Sequence, residues 1–245
     1  MEILGVKIDN LTTDRALQKI EGFLTDGQQH YIVTPNPEFL VLAQKDSEFR
    51  RILNQADLAV PDGVGLILAA RFLGQSLEQR VSGTDLMEKV CQRAASRKWP
   101  VFLLGDKEDG LVEETAGKLK KKYPGLEIDS LNKILGCFEE KITELVSLVD
   151  NRPAVLFLAL GAPKQEKWIA ENLRKIPSVK LVMGVGGAFN FISGRVPRAP
   201  KFLRAVGLEW LWRLFCQPWR IKRVFKAVIV FPCLVIRSVF QGLSL

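Results

Sequence analysis

The chain is short of the residues on which most metal and nucleophile chemistry depends. It has one histidine, His30, and four cysteines, Cys91, Cys137, Cys216 and Cys233, with no CxxC pair among them. A Cys/His zinc site is thereby disfavoured. No Ser/His/Asp arrangement accompanies the lone histidine, which reads as a structural or exposed residue ahead of a strand, so triad chemistry is disfavoured too. There is no DxD pair and no GxxxxGK[ST] loop, and the GVGG run at Gly184 lacks GxGxxG spacing and falls late in the chain. ATP-binding and dinucleotide-binding enzymes of the usual kinds are disfavoured on that ground. The N-terminus, MEILGVKIDN, has no basic segment followed by an apolar run. The expected compartment is therefore a reducing cytoplasm. No internal repeat or low-complexity stretch is present.

Long apolar runs are also missing. The most apolar stretch near the C-terminus, AVIVFPCLVI at 227–236, spans ten residues, contains Pro232 and lies between Lys226 and Arg237. As a helix it would cover about 15 Å, against a hydrocarbon core of roughly 30 Å. It is too short to cross a bilayer alone, and its basic, aromatic surroundings suit the interface plane.

What the chain does have is a large apolar content and an uneven charge. Of 245 residues 47% are hydrophobic, ample for a buried core. The net charge of +8 is concentrated: residues 195–245 hold ten Lys/Arg against the single acid Glu209, whereas 1–194 hold 25 basic and 26 acidic residues. Three of the five tryptophans, Trp210, Trp212 and Trp219, share that basic segment. A near-neutral body, 1–194, thus carries a cationic, aromatic appendage, 195–245, that seeks an anionic surface. The boundary falls in RVPRAPKFLR, where two prolines stand among basic residues.

Six segments read as strands: 31–36, 56–60, 101–105, 126–130, 154–160 and 180–185. Most are continuous apolar runs, as strands covered on both faces require. Helical periodicity separates them at 13–26, with Thr12 or Thr13 as N-cap, and at 37–55, 82–97, 109–123, 138–149 and 164–176. Strands alternating with helices predict an α/β fold, a doubly wound, mainly parallel sheet with a basic amphipathic helical C-terminal appendage.

Ligands of open α/β sheets bind outside the carboxyl ends of the strands. Here those ends carry Thr34 and Asn36 in VTPNPEF, Asp62 in VPDGVG, Asp106 in LLGD, the turn GAPKQE at 161–166, and GVGGAF at 184–189. A Gly-Ala-Pro turn opening a helix can bring backbone N–H groups, a lysine and an amide together to hold an anion. Each residue has a structural reading beside the chemical one: Asn36 as the cap of a helix at Pro37, Asp62–Gly63 as a common turn pair. Asp62 is the carboxylate best placed to act as a general base towards a hydroxyl.

The motifs TPN (34–36), PDGVG (61–65), RVSGTDL (80–86), LGAPKQE (160–166), GVGGAFNFISG (184–194), RAP (198–200) and GLEWLWRL (207–214) resemble, in order and over nearly the whole chain, the WecG/TagA/CpsF glycosyltransferases. The resemblance implies an inverting enzyme that moves a sugar, typically N-acetylmannosamine from its UDP ester, onto undecaprenyl-diphosphate-linked N-acetylglucosamine at the cytoplasmic membrane face. It implies Asp62 as base, Thr34 and Asn36 as substrate-positioning residues, and Arg80, Gln165 and the glycines Gly184, Gly186 and Gly187 in the nucleotide-sugar pocket. It further implies that Arg213, Arg220 and Arg223 hold the lipid diphosphate, with no DxD-bound metal and no cofactor. Offsets of seven and three residues place these arginines within about 80° on one helix, but Pro218 interrupts it. A solvated basic face touching headgroups is the plainer reading.

The competing function is a non-enzymatic protein binding membrane or nucleic acid. Charge confined to the appendage and the lack of RNP-type or helix-turn-helix patterns count against nucleic acid. Whether the chain forms a homo-oligomer stays open.

Overall fold

The computed structural model describes residues 1–105, 109–132 and 152–242. The helix expected at 138–149, Asp106 and Cys137 lie outside the described residues.

The chain starts with a small antiparallel hairpin, β1 (Glu2–Ile3) and β2 (Val6–Lys7), which no sequence period foretells. Its turn residues Leu4 and Gly5 have φ of 50° and 76°, the left-handed backbone that a two-residue hairpin loop needs. Helix α1 (Thr13–Phe23) follows, capped by Thr12, whose hydroxyl accepts from Arg15 N. Then come β3 (His30–Val33), α2 (Pro37–Ala43), α3 (Ser47–Gln55), β4 (Leu58–Ala59), α4 (Val64–Phe72), α5 (Gly83–Arg97), β5 (Val101–Gly105), α6 (Leu111–Lys122), β6 (Ile128–Asn132), β7 (Ala154–Ala159), α7 (Lys164–Asn172), β8 (Val179–Gly184) and α8 (Ala188–Ser193).

The expected single helix over 37–55 is two helices. Asp46 has extended backbone and its carboxylate accepts from Phe49 N at 2.9 Å, capping α3 and ending α2's run. A local side-chain cap overrides the continuing apolar period.

The six longer-range strands form one parallel sheet in the order β4-β3-β8-β7-β5-β6. Successive strand residues feed opposite cores. Val101, Leu103, Val155, Phe157, Leu181 and Met183 pack with α1, α5 and α6, while Phe102, Leu104, Leu156, Leu158 and Val182 pack under α7. This is why the strands read as unbroken apolar runs rather than alternating ones. From β5 the chain moves outward to β6, and from β7 inward to β8, so a crevice opens where the two paths diverge.

The basic segment forms α9 (Lys201–Ala205), α10 (Glu209–Cys216), a 3₁₀ turn at Pro218–Arg220, and then one unbroken helical run: α11 (Ile221–Phe225), a π stretch (Lys226–Val230) and α12 (Phe231–Gly242). The π stretch ends two residues before Pro232, where the missing N–H and the ring would otherwise break an α-helix. Phe231 and Val235 are 2% and 3% exposed and share a core with Phe39, Leu40 and Leu66 of the body. Gly207 meets Val64 so closely that a Cβ there would lie 2.7 Å from the valine's own. The segment is packed into the body at both ends. Among the described residues no helix is long and apolar enough to cross a membrane.

Candidate functional site

A cavity of about 890 Å³ opens at the carboxyl ends of the strands. Its walls include Thr34 after β3, Asp62 after β4, Gly105 at the end of β5, Gly161 after β7, and Gly186 and Gly187 after β8. The basic segment contributes Glu209, Arg213, Arg220 and Arg223 to the lining. Body and appendage therefore build one site together.

Asp62 sits on the turn between β4 and α4. Its backbone N–H donates to Pro35 O at 2.8 Å, which ties this turn to the Thr34–Asn36 turn. Its Oδ2 accepts from Gly83 N, at the start of α5, at 3.5 Å. Burial pushes its carboxyl up to about 6, opposed by the positive charges of Arg80 and Arg213 and reinforced by Glu209. A carboxylate raised that far is ionised at neutral pH yet basic enough to accept a proton.

Asn36 performs the structural task the sequence allowed for it. Its Oδ1 accepts from Phe39 N at 3.1 Å and caps α2, with Pro37 in the first turn. With one lone pair of Oδ1 used by the cap, the side chain still has its NH₂ group and a second lone pair to offer a ligand. Thr34 is buried beside it, its methyl in contact range of Gly83.

The GAPKQE turn is arranged differently from a simple anion cradle. Gln165, 1% exposed, accepts through Oε1 from both Gly161 N at 3.2 Å and Gly186 N at 3.1 Å, and donates through Nε2 to Glu166 Oε1 at 2.7 Å. These two backbone N–H groups are thus taken by the protein itself. Gln165 clasps the turns after β7 and β8, and Gly184 makes room for its amide. Glu166 is equally buried, and its Oε2 has no hydrogen-bond partner among the described residues. Burial pushes its carboxyl up to about 7. Neither Glu166's burial nor its link to Gln165 is visible in the sequence.

The three arginines converge despite Pro218. The 3₁₀ turn at Pro218–Arg220 redirects the chain so that Arg213 from α10, Arg220 from the turn and Arg223 from α11 face the same cavity. Gln217 Oε1, 8% exposed as a residue, receives Arg213 Nε and Arg220 Nη1, each at 3.4 Å. The guanidinium of Arg213 lies 4.8 Å over the Phe191 ring and directly against Gly187, where any Cβ would collide with it. Arg213 and Arg220 are both held below the ordinary arginine range, first by burial and then by their positive neighbours. Arg223 is forked by Glu38, a cavity carboxylate on α2 that sequence reasoning misses; a lone acid in the first turn of a helix reads only as a helix-dipole partner. Three close cations with one carboxylate make a strong anion site.

Arg80, expected in the pocket, does line it, but its Nη1 is 3.7 Å from Glu209 Oε2. His30 stands apart, stacked on Phe23 with Nε2 2.9 Å from Asp26, and is structural. Among the described residues no cluster of three His, Cys, Asp or Glu side chains could hold a metal ion.

One cavity at the strand ends of a parallel α/β sheet is thus lined by a carboxylate raised to about 6 and by a cluster of three arginines. The chain belongs to the family described as Glycosyl transferase WecG/TagA/CpsF, which matches residues 1–244. It is similar to the N-acetylglucosaminyldiphosphoundecaprenol N-acetyl-beta-D-mannosaminyltransferase of Staphylococcus aureus (strain NCTC 8325 / PS 47), at 31% identity over 94% of this chain and 90% of that protein. The protein of the same name from Bacillus subtilis (strain 168) is 30% identical over 84% of this chain and 82% of its own length. The competing reading as a non-enzymatic binding protein is set aside by this membership.

Proposed function

We propose that the protein transfers N-acetylmannosamine, or a closely related sugar, from a UDP-sugar to N-acetylglucosamine carried on undecaprenyl diphosphate, with inversion at the anomeric carbon. The observation that carries this reading is that Asp62 and the Arg213/Arg220/Arg223 cluster line one cavity. The acceptor hydroxyl attacks the anomeric carbon of the donor, Asp62 takes the hydroxyl proton, and the bond to UDP breaks with its electron pair leaving on the diphosphate. Attack opposite to departure inverts the configuration. Arg213, Arg220 and Arg223 hold the lipid diphosphate, and cationic side chains rather than a bound metal meet the charge of the leaving diphosphate. Thr34, Asn36 and Arg80 position the sugars, and Gln165 with Gly184, Gly186 and Gly187 shapes the nucleotide-sugar pocket.

Lipid attachment of the acceptor fits the outer surface. Phe215, Trp219, Ile221 and Phe225 of the basic segment are each more than half exposed, as are Leu68 and Phe72 on α4, which also line the cavity. Apolar side chains beside cationic ones suit a peripheral position on the anionic inner face of a cell membrane. The test is to incubate the purified protein with a panel of UDP-sugars and a short-chain polyprenyl-diphosphate N-acetylglucosamine, reading products by mass spectrometry and anomeric configuration by NMR. Transfer of N-acetylmannosamine with inversion is expected. No transfer from any UDP-sugar, or retention of configuration, would overturn the reading.

A further inference from the structure

Glu209 is the single acid among eleven charged residues of 195–245. It is not a surface residue balancing that charge, for its side chain is only 18% exposed. It lies between two arginines from different parts of the chain. Its Oε2 is 3.7 Å from Arg80 Nη1, and its Oε1 is 3.5 Å from Arg198 Nε. Arg198 in turn reaches Asp85 Oδ1 at 2.6 Å and Ser82 Oγ at 3.3 Å. Ser82 and Asp85 are the N-cap and first turn of α5, the same turn whose Gly83 N–H meets Asp62 Oδ2. The contacts run from α5 through Arg198 and Glu209 to Arg80, and the first turn of α5 in turn meets Asp62.

We propose that Glu209 is a positioning residue for the reaction: it holds Arg80 off the Asp62 carboxylate and locks α10 to the loop before α5, whose Val81 N–H donates to Pro61 O beside this base, so that the base is in working order only when the basic segment is seated. The inference rests on Asp62 acting as general base. The charged groups facing Asp62 are Arg80, from the loop before α5, and Glu209 and Arg213, both from α10; Gly83 N adds a dipole. Without the negative charge of Glu209, Asp62 faces Arg80 and Arg213 unopposed. Its carboxylate then becomes easier to ionise and a weaker proton acceptor.

The test compares pH–rate profiles of wild type, Glu209→Gln and Glu209→Asp, with thermal melting alongside. In Glu209→Gln the acid limb of kcat is expected to move to lower pH by about half a unit or more, and the plateau to drop about two-fold or more. Glu209→Asp keeps the charge at shorter reach and should lie between the two. A loss of activity with the limb unmoved would mean that Glu209 only docks α10, and would overturn the proposal. If Glu209→Gln does not fold, an unmoved limb in Glu209→Asp overturns it equally. A wild-type profile with no acid limb at all would instead overturn the assignment of Asp62 as base, which separates failure of the two ideas.

Discussion

Arg223 is forked onto Glu38, its Nε lying 2.9 Å from Oε1 and 2.8 Å from Oε2. The contact joins the basic segment to the first turn of α2, directly beside the Asn36 cap. It also divides labour within the cluster. Arg223 is neutralised by an acid, whereas Arg213 and Arg220 lean on the neutral Gln217 and repel each other.

Burial and, after it, the charges of Arg213 and Arg223 predict a trade between stability and binding at Arg220. Its folded pKa is held below the ordinary value, so its charged form is disfavoured in the folded protein. Arg220→Gln should therefore raise the melting temperature of the ligand-free protein by about 2–4 °C per kcal/mol relieved. The same variant should lose most of the stabilisation that inorganic pyrophosphate gives the wild type. Differential scanning fluorimetry with and without pyrophosphate reads both; an unchanged response to pyrophosphate would refute the anion role.

Asp62→Asn should lower turnover by about 10²- to 10⁴-fold while the protein still folds. Since the carboxyl is pushed up to about 6 in the folded state, wild-type kcat should fall as pH drops through that value. Near wild-type turnover in the purified variant would reduce Asp62 to a turn residue.

Glu166 gives a pH dependence of stability rather than of rate. Its carboxyl rises from 4.5 to about 7 on folding, so its contribution is fully present below pH 4.5 and is lost as pH rises through 7. Glu166→Gln should flatten the stability profile between these limits and be the more stable protein at pH 8. Urea melts at pH 5 and pH 8 test this, and equal slopes for the two proteins would count against it.

Activity should survive excess EDTA, because cationic side chains rather than a bound ion would face the departing diphosphate. The measurement is initial rate after dialysis against chelator. Loss restored by magnesium or manganese would contradict that account.

Two sets of substitutions should separate burial from surface contact. Phe231→Ala empties a core position and should cost about 3–5 kcal/mol of stability. Replacing exposed Phe215, Trp219 and Phe225 by serine should leave the melting temperature within a degree or two of wild type but sharply reduce pelleting with anionic liposomes. Similar losses of stability from both sets would mean that the exposed side chains are structural.

The parallel sheet is legible in the sequence because strands buried on both faces leave unbroken apolar runs, as in AVLFLA at Ala154–Ala159. The hairpin at Glu2–Lys7 is not, since two-residue strands carry no period and their turn depends on Leu4 taking positive φ. Asp62, the arginines and the GVGG turn are marked by position at strand ends or by composition. Glu38 and Glu166 are hidden because an acid early in a helix looks like ordinary dipole compensation until its neighbours in space are known. Gln165 is visible as a pocket residue, but its clasp on Gly161 and Gly186 depends on two turns, 21 residues apart at Gln165 and Gly186, meeting across β7 and β8.

The burial of Phe231 and Val235 in the body's core has a mechanical consequence. The helical run that bears the exposed aromatic and basic side chains cannot swing on a hinge without opening that core. Whatever surface those side chains settle on, the cavity mouth would be held at a fixed height and tilt above it. Reach towards an anchored substrate would then be set by the shape of the folded protein, and the substrate's own tether would have to supply any remaining freedom.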